Sequence, residues 1–141
     1  MLPLQSRLRK VVDLADIVGW VLQHPKRHLA FPGWDEVQIT LNLVEYNRAD
    51  NLIAIADPAL RVNGILTYDV HDETKTLRIQ SILTEDNDDF ATLIALWAER
   101  YPTYSLEAIR DCTKHRTYKL RNFRRYLKQG QKNLEEPVNN N

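Results

Sequence analysis

One stretch limits the fold more than any other. It reads TLRIQSILTEDNDDFATLIALWAERYPTYSLEAIR, Thr76 to Arg110. "TLRIQSIL" is rich in β-formers and reads as a strand. Phe90, Leu93, Ile94, Trp97, Ala98 and Tyr101 then recur at i, i+3, i+4, i+7, i+8 and i+11, the spacing of one helix face, and Pro102 stops that helix. "YSLEAIR" returns as a strand. Two strands joined through one helix are expected to pair in parallel, with a right-handed crossover. The sheet therefore contains one parallel pair, whatever else it holds.

The flanking chain supplies the rest of the sheet and its cover. "LIAIADP" and "VNGILTYDV" are further β-rich runs punctuated by Asp57-Pro58 and Asn63-Gly64, and "HDETK" closes a hairpin to "TLRIQSIL". Three consecutive strands favour an antiparallel meander. Upstream, Leu8 to Leu22 carries a broad apolar face at helical spacing and ends at His24-Pro25. "KRHLAFPGW" reads as a loop. Trp34 to Arg48 fits either period: Trp34, Val37, Leu41 and Val44 as a helix, or Val37, Ile39, Leu41 and Leu43 as a strand. Its length and its acidic start, Asp35-Glu36, favour the helix. Thr113 to Lys128 reads as a basic helix with a stripe of Leu120, Phe123 and Leu127.

The resulting order is α-α-β-β-β-α-β-α. The expected class is α/β (α+β): a mixed, mostly antiparallel sheet with helices on both faces. Residues 1–130 form one domain, and the polar tail 131–141 is read as disordered. Apolar residues make up 43% and charged residues 27% of the 141, enough for one core. No apolar run reaches the roughly 20 residues of a membrane span. The first ten residues lack the pattern of a signal peptide, and a single cysteine, Cys112, excludes an internal disulfide framework. Both favour a cytoplasmic, reducing setting. Net charge is zero, yet Arg110 to Lys132 holds nine of the nineteen Lys/Arg and one acid, leaving eighteen of the nineteen acids elsewhere. Such a dipole bears on partners.

The loop before the Phe90 helix is Glu85-Asp86-Asn87-Asp88-Asp89, with four carboxylates and no glycine. Phosphate-cradling loops at helix starts use glycines and avoid acids. Capping of the helix is the simpler use of these acids, with a cation or a basic partner as the alternative. Glu85 reads as a cap or as a general base. His24 and His28 stand four apart, but Pro25 breaks the helix that would align them on a metal, so no metal site is expected. Cys112, beside Arg110 and Lys114, reads as a structural thiol or as one with a lowered pKa. Trp20, Trp34 and Trp97 read as anchors. Arg116, Lys119, Arg121, Arg124, Arg125 and Lys128, with Tyr118 and Tyr126 between them, form either a phosphate-binding footprint or a solvated face.

The element order over roughly Val11 to Gly130 is similar to that of the Gcn5-related N-acetyltransferases (GNAT). "RYLKQGQ" adds Tyr126-x-x-x-Gly130, which resembles the aromatic–Tyr-x-x-x-Gly pattern of that family's last helix. The resemblance implies Tyr126 as general acid, Glu85 as the nearest stand-in for the base, and a splay between "LRIQSIL" and "YSLEAIR". It also implies a pyrophosphate loop where this chain has "TEDNDD". Carboxylates there repel a pyrophosphate by about 1 to 4 kcal/mol per pair at 4 Å, more than a helix dipole of roughly 0.3–1 kcal/mol returns. Acetyl-CoA is therefore not expected as a cofactor, and the loop acids are expected to stay ionised at neutral pH. "WVLQHPKRHLAFPGW" is weakly similar to the His region of toxin-activating acyltransferases, which would make His24 or His28 a nucleophile or base. The acid those enzymes need falls near Gln80. Small GNAT-like proteins of bacteriophages, including assembly and virion proteins, are also similar, which implies a host-cytoplasm or virion setting. The leading expectation is a non-catalytic protein acting by protein–protein contact. The alternatives are an active N-acyltransferase and a nucleic-acid-binding module, with homo-oligomerisation open and no membrane partner.

Overall fold

The expected parallel pair forms: Thr76–Ile79 align with Ser105–Ala108. The computed structural model describes residues 13–109, 117–119 and 124–135. Helices α1 (Leu14–Gln23), α2 (Arg27–Ala30) and α3 (Glu36–Arg48) lead into β1 (Leu52–Ala56), β2 (Val62–His71) and β3 (Thr76–Thr84). Then come α4 (Asn87–Arg100), β4 (Ser105–Ile109), β5 (Thr117–Lys119) and α5 (Arg124–Glu135). The sheet order is β1-β2-β3-β4-β5, antiparallel except for β3–β4. The class is mixed α+β, as expected.

Local chemistry explains most boundaries. His24 takes extended dihedrals before Pro25 and ends α1. The segment read as a loop after it contains the short α2. The ambiguity over Trp34 to Arg48 is settled by a capping box. The Asp35 carboxylate accepts the Gln38 N–H at 2.8 Å, and the Gln38 side chain accepts the Asp35 N–H at 2.9 Å. Two donors at a helix start are thereby satisfied, which a strand would leave without those partners. The buried face of α3 is nevertheless Ile39 and Leu43. Val37 and Leu41, from the stripe that suggested the helix, are 66% and 60% exposed.

The sheet separates two apolar layers. On one face Ile17 and Val21 of α1, Phe31, and Ile39 and Leu43 of α3 pack on Val62, Ile65 and Leu83. On the other, Leu93, Ile94 and Trp97 of α4 and Leu134 of α5 pack on Ile55, Leu66, Tyr68, Leu77, Ile79 and Leu106. A register shift between Thr67 and Tyr68 leaves Gln80 as the extra residue of a bulge in β3. Beyond Ile79, β3 continues to Thr84 and, among the described residues, pairs only with β2.

The C-terminal third differs from expectation. The chain does not form one helix over Thr113 to Lys128. Thr117–Lys119 adds β5 to the edge of β4, opposite Glu107–Ile109, and the helix begins at Arg124. β-branched and aromatic residues at 117–118 suit an edge strand. Leu127 packs on the core as expected, while Leu120 and Phe123 lie outside the described residues. The helix also runs past Gly130 to Glu135, so residues 131–135 are not tail. Leu134 is 3% exposed, and burial of that side chain holds the last turn in place. Gly130 lies where α5 crosses α4. A Cβ there would stand 2.7 Å from the Ala91 carbonyl carbon and 2.7 Å from the Ala95 Cβ. The glycine of the Tyr126-x-x-x-Gly130 spacing thus has a packing role. Among the described residues no helix is long and apolar enough to cross a membrane.

Candidate functional site

Three places concentrate polar chemistry: the acidic loop, one face of the sheet, and the exposed side of α5. In the loop, Asp86 takes the N-cap position and its carboxylate accepts the Asp89 N–H at 2.9 Å. Asp88 and Asp89 lie in the first turn, where the helix dipole favours negative charge. Asn133 of α5 donates to Thr92 Oγ1 at 3.1 Å and to the Asp88 carboxylate at 3.4 Å, so the loop also docks the last helix. The capping use of the acids is therefore realised in Asp86. The expectation that all stay ionised needs correction. Burial, reinforced by the Asp86 and Asp88 carboxylates, pushes Asp89 up to about 7. Crowding of like charge is thus high enough to retain a proton, and a pyrophosphate would add to it.

Glu85 is not a cap. Its carboxylate accepts the Trp20 indole N–H at 3.0 Å and lies 3.8 Å from His24 Nε2. Trp20 meets the His24 ring edge-on, with centroids 5.0 Å apart. His24 Nδ1 accepts the Lys26 N–H at 3.1 Å, which places the ring proton on Nε2 in the neutral form, facing Glu85. A general base needs an open lone pair. His24 has none, and its side chain is 7% exposed. The cluster ties the α1–α2 turn to the end of β3.

The sheet face beneath α1 and α3 carries polar residues that spacing along the chain does not connect. By register Asp69 (β2), Arg78 (β3) and Glu107 (β4) stand in one cross-strand row of alternating sign, and the backbone of Lys119 (β5) aligns with Glu107. Arg78 Nη2 lies 3.4 Å from Glu107 Oε2. Tyr46 of α3 donates to Asp69 Oδ1 at 2.7 Å. Burial and the Asp69 carboxylate push the Tyr46 hydroxyl well above the ordinary tyrosine range. Next to this row Thr67 donates to Gln80 Oε1 at 2.9 Å and stands 2.5 Å from Ser81 Oγ. One hydroxyl has one proton, so Ser81 donates to Thr67. Arg78 Nε and Asn42 Oδ1 are buried with no hydrogen-bond partner among the described residues. The signal was present in the strands: Thr67 and Asp69, and Arg78 and Gln80, sit at alternate positions of otherwise apolar runs.

The structure does not bring the two residues expected to be catalytic together. Glu85 turns to α1 on one face of the sheet. Tyr126 packs edge-on against Phe90, at 4.7 Å, in the α4–α5 layer on the other. Of the basic residues, Arg125 and Lys128 are exposed on α5, with Lys132 one turn further on. Arg124 opens α5 and Lys119 ends β5. Arg116, Arg121 and Cys112 lie outside the described residues. His28 lies on α2, and among the described residues no three His, Cys, Asp or Glu are grouped as metal ligands would be. Apart from Arg78 Nε and Asn42 Oδ1, the polar groups of the sheet face beneath α1 and α3 pair with one another, and among the described residues no nucleophile has a base aimed at it. The comparisons agree in finding no counterpart: no family model, curated protein or solved structure matches this chain.

Proposed function

We propose that this protein works by contact with another protein, on a scaffold similar to the GNAT fold whose acyl-donor site is degenerate. One observation carries the reading: α3 presents apolar residues outward as well as inward. Ile39 and Leu43 are buried, whereas Val37 and Leu41 on the outer side are 66% and 60% exposed. Trp34, just before the helix, is 36% exposed, and Leu29 on α2 is 68% exposed. Single exposed apolar residues are ordinary, but several on one helix and its approach mark a contact surface. Likeness to the GNAT scaffold draws support from the parallel pairing of β3 with β4, only four residues long. Degeneracy draws support from the loop acids, which crowd until Asp89 retains a proton at about neutral pH, and from the separation of Tyr126 from Glu85.

Two measurements test the reading. Wild-type protein and a Leu41→Asp variant are used as baits, and the retained proteins are compared. The expected result is a binding partner kept by the wild type and lost by the variant. Calorimetry with about 1 mM acetyl-CoA is expected to give no heat, equivalent to binding weaker than about −4 kcal/mol. Micromolar binding of acetyl-CoA would overturn the degenerate-site half of the reading.

A second reading rests on α5. Arg125, Lys128 and Lys132 fall at i, i+3 and i+7, all exposed, and so form one basic stripe. That stripe suits a phosphate backbone, and the salt dependence of retention tests it.

A further inference from the structure

We infer that the outer side of α5 binds the phosphate backbone of double-stranded DNA without reading its sequence; the inference rests on the second reading above and names its partner. Pairing is the first observation. Arg27, Arg48, Arg61, Arg78 and Arg100 each lie 2.9 to 3.8 Å from a carboxylate oxygen, so the body of the chain neutralises its own arginines. Arg125, Lys128 and Lys132 are exposed and have no ion-pair partner among the described residues. From Arg124 to Leu134 the chain carries no acid, and Glu135 closes the helix after the stripe. The acidic loop meets α5 through Asn133, about a quarter-turn around the helix from Lys132.

The surface around the stripe decides among anionic partners. The apolar side of α5 is committed to the α4 layer, where Tyr126 and Leu127 pack on the core and Leu134 is buried. Beside the cations, Gln129 and Gln131 face outward. A helix that enters a membrane interface needs a free apolar face, and a protein interface needs an apolar centre. The outer side of α5 has neither. Bases of a single strand stack on aromatic side chains. Tyr126 is the sole aromatic of α5, and it packs edge-on against Phe90 with centroids 4.7 Å apart. Attraction therefore rests on charge, and the partner with the densest charge is favoured. The seven steps from Arg125 to Lys132 span about 10.5 Å of helix. Duplex DNA carries about six charges over that length, and one strand about three. Duplex RNA is commonly held across about 16 base pairs and two minor grooves, a far longer footprint than this stripe. The close crossing at Gly130 holds α5 against α4, so the helix does not leave its layer to enter a groove. Contact stays on the backbone, which positions a protein and carries no sequence information.

The test uses the full chain and fluorescence anisotropy between about 50 and about 200 mM salt, the range over which backbone contacts weaken most visibly. The labelled probes are a DNA duplex of about 20 base pairs, one of its strands alone, and an RNA duplex of the same sequence, all longer than the stripe. The DNA duplex is expected to bind tightest, with Kd on the order of 10⁻⁴–10⁻⁶ M, and an unrelated duplex sequence is expected to bind alike. Arg125→Ala with Lys128→Ala and Lys132→Ala is expected to lower the slope of log affinity against log salt by about 2.7, roughly 0.9 for each of three phosphates. The three side chains are exposed, so the thermal midpoint is expected to hold. Lys128→Glu alone is expected to weaken binding about tenfold or more, and repeats the test with a single change. An unchanged slope in the triple variant overturns the inference, because the duplex is then held elsewhere. If the single strand or the RNA duplex binds as tightly as the DNA duplex, the choice of double-stranded DNA falls and the phosphate reading stands. Polyglutamate binding as tightly as the duplex would overturn both in favour of an acidic protein. Absence of retention of every probe at about 50 mM salt removes the inference and the phosphate reading together.

Discussion

Replacing Gly130 with alanine sets two known effects against each other. In a helix interior Gly→Ala normally stabilises by up to about 1 kcal/mol, because the backbone of glycine loses more freedom on folding. At Gly130 the new methyl would stand 2.7 Å from the carbonyl carbon of Ala91 and 2.7 Å from the Cβ of Ala95. Ordinary contacts between such atoms begin near 3.4 Å. One of the two neighbours is backbone, so no rotamer change can relieve the overlap, and α5 must move away from α4. Overpacking of this kind costs about 1–3 kcal/mol, and a backbone obstacle places this case at the upper end. The steric term wins, with a net loss of about 2 kcal/mol, or on the order of 5–10 °C in Tm for a domain of this size. Gly19 in α1 is the internal control, since a Cβ there meets nothing within 4 Å. Gly19→Ala should gain about 0.5–1 kcal/mol from the same backbone entropy. Urea denaturation followed by the fluorescence of Trp97, buried in α4, measures both. Adding Ala95→Gly to Gly130→Ala should restore only part of the loss, because the Ala91 carbonyl remains. A Gly130→Ala protein as stable as wild type, beside a stabilised Gly19→Ala, would refute the close helix crossing.

Other expectations follow from the same geometry. Asp89 is raised from 3.8 to about 7, so the folded chain holds a proton there that the unfolded chain releases, and stability falls as pH rises between about 4 and 7. After allowance for solvent screening at this half-exposed group, Asp89→Asn should gain about 1–2 kcal/mol at pH 8 and less at pH 5. A gain that is equal at both pH values in urea titrations would exclude this origin. Asp35→Ala removes one half of the α3 capping box and should cost about 1 kcal/mol, read in the same assay. If the basic stripe of α5 binds nucleic acid, log affinity should fall linearly with log salt, by roughly 0.9 per phosphate neutralised. Arg125→Ala with Lys128→Ala should flatten that slope, and absence of gel-shift retention at about 50 mM salt would remove the reading.

Much of the fold was legible because its signals are local. The helix over Phe90 to Tyr101 follows from six apolar positions at one spacing. The hairpin between β2 and β3 follows from a short polar turn between alternating strands, and the parallel pair follows from connectivity alone. The capping role of the loop was readable too, since acids before an apolar helical run have one common use. Other features depend on which surfaces meet. Trp34, Val37 and Leu41 mark α3 as a helix, but only packing against α1 decides that Ile39 and Leu43 face inward. Residues 117–119 carry weak local preference, and the open edge of β4 makes them a strand. Gly130 looks like part of a motif in one dimension and is a crossing point in three. Asp69, Arg78, Glu107 and Lys119 lie on four different strands, and no spacing along the chain connects them. Register aligns them, and register is set by the hydrophobic pattern of the whole sheet. Glu85 and Tyr126 could be named from the chain, but their placement on opposite faces of the sheet is a product of tertiary structure. Periodicity and capping act over a few residues and are written in the sequence, whereas the choice of face, edge and partner is decided by which arrangement buries the most apolar surface.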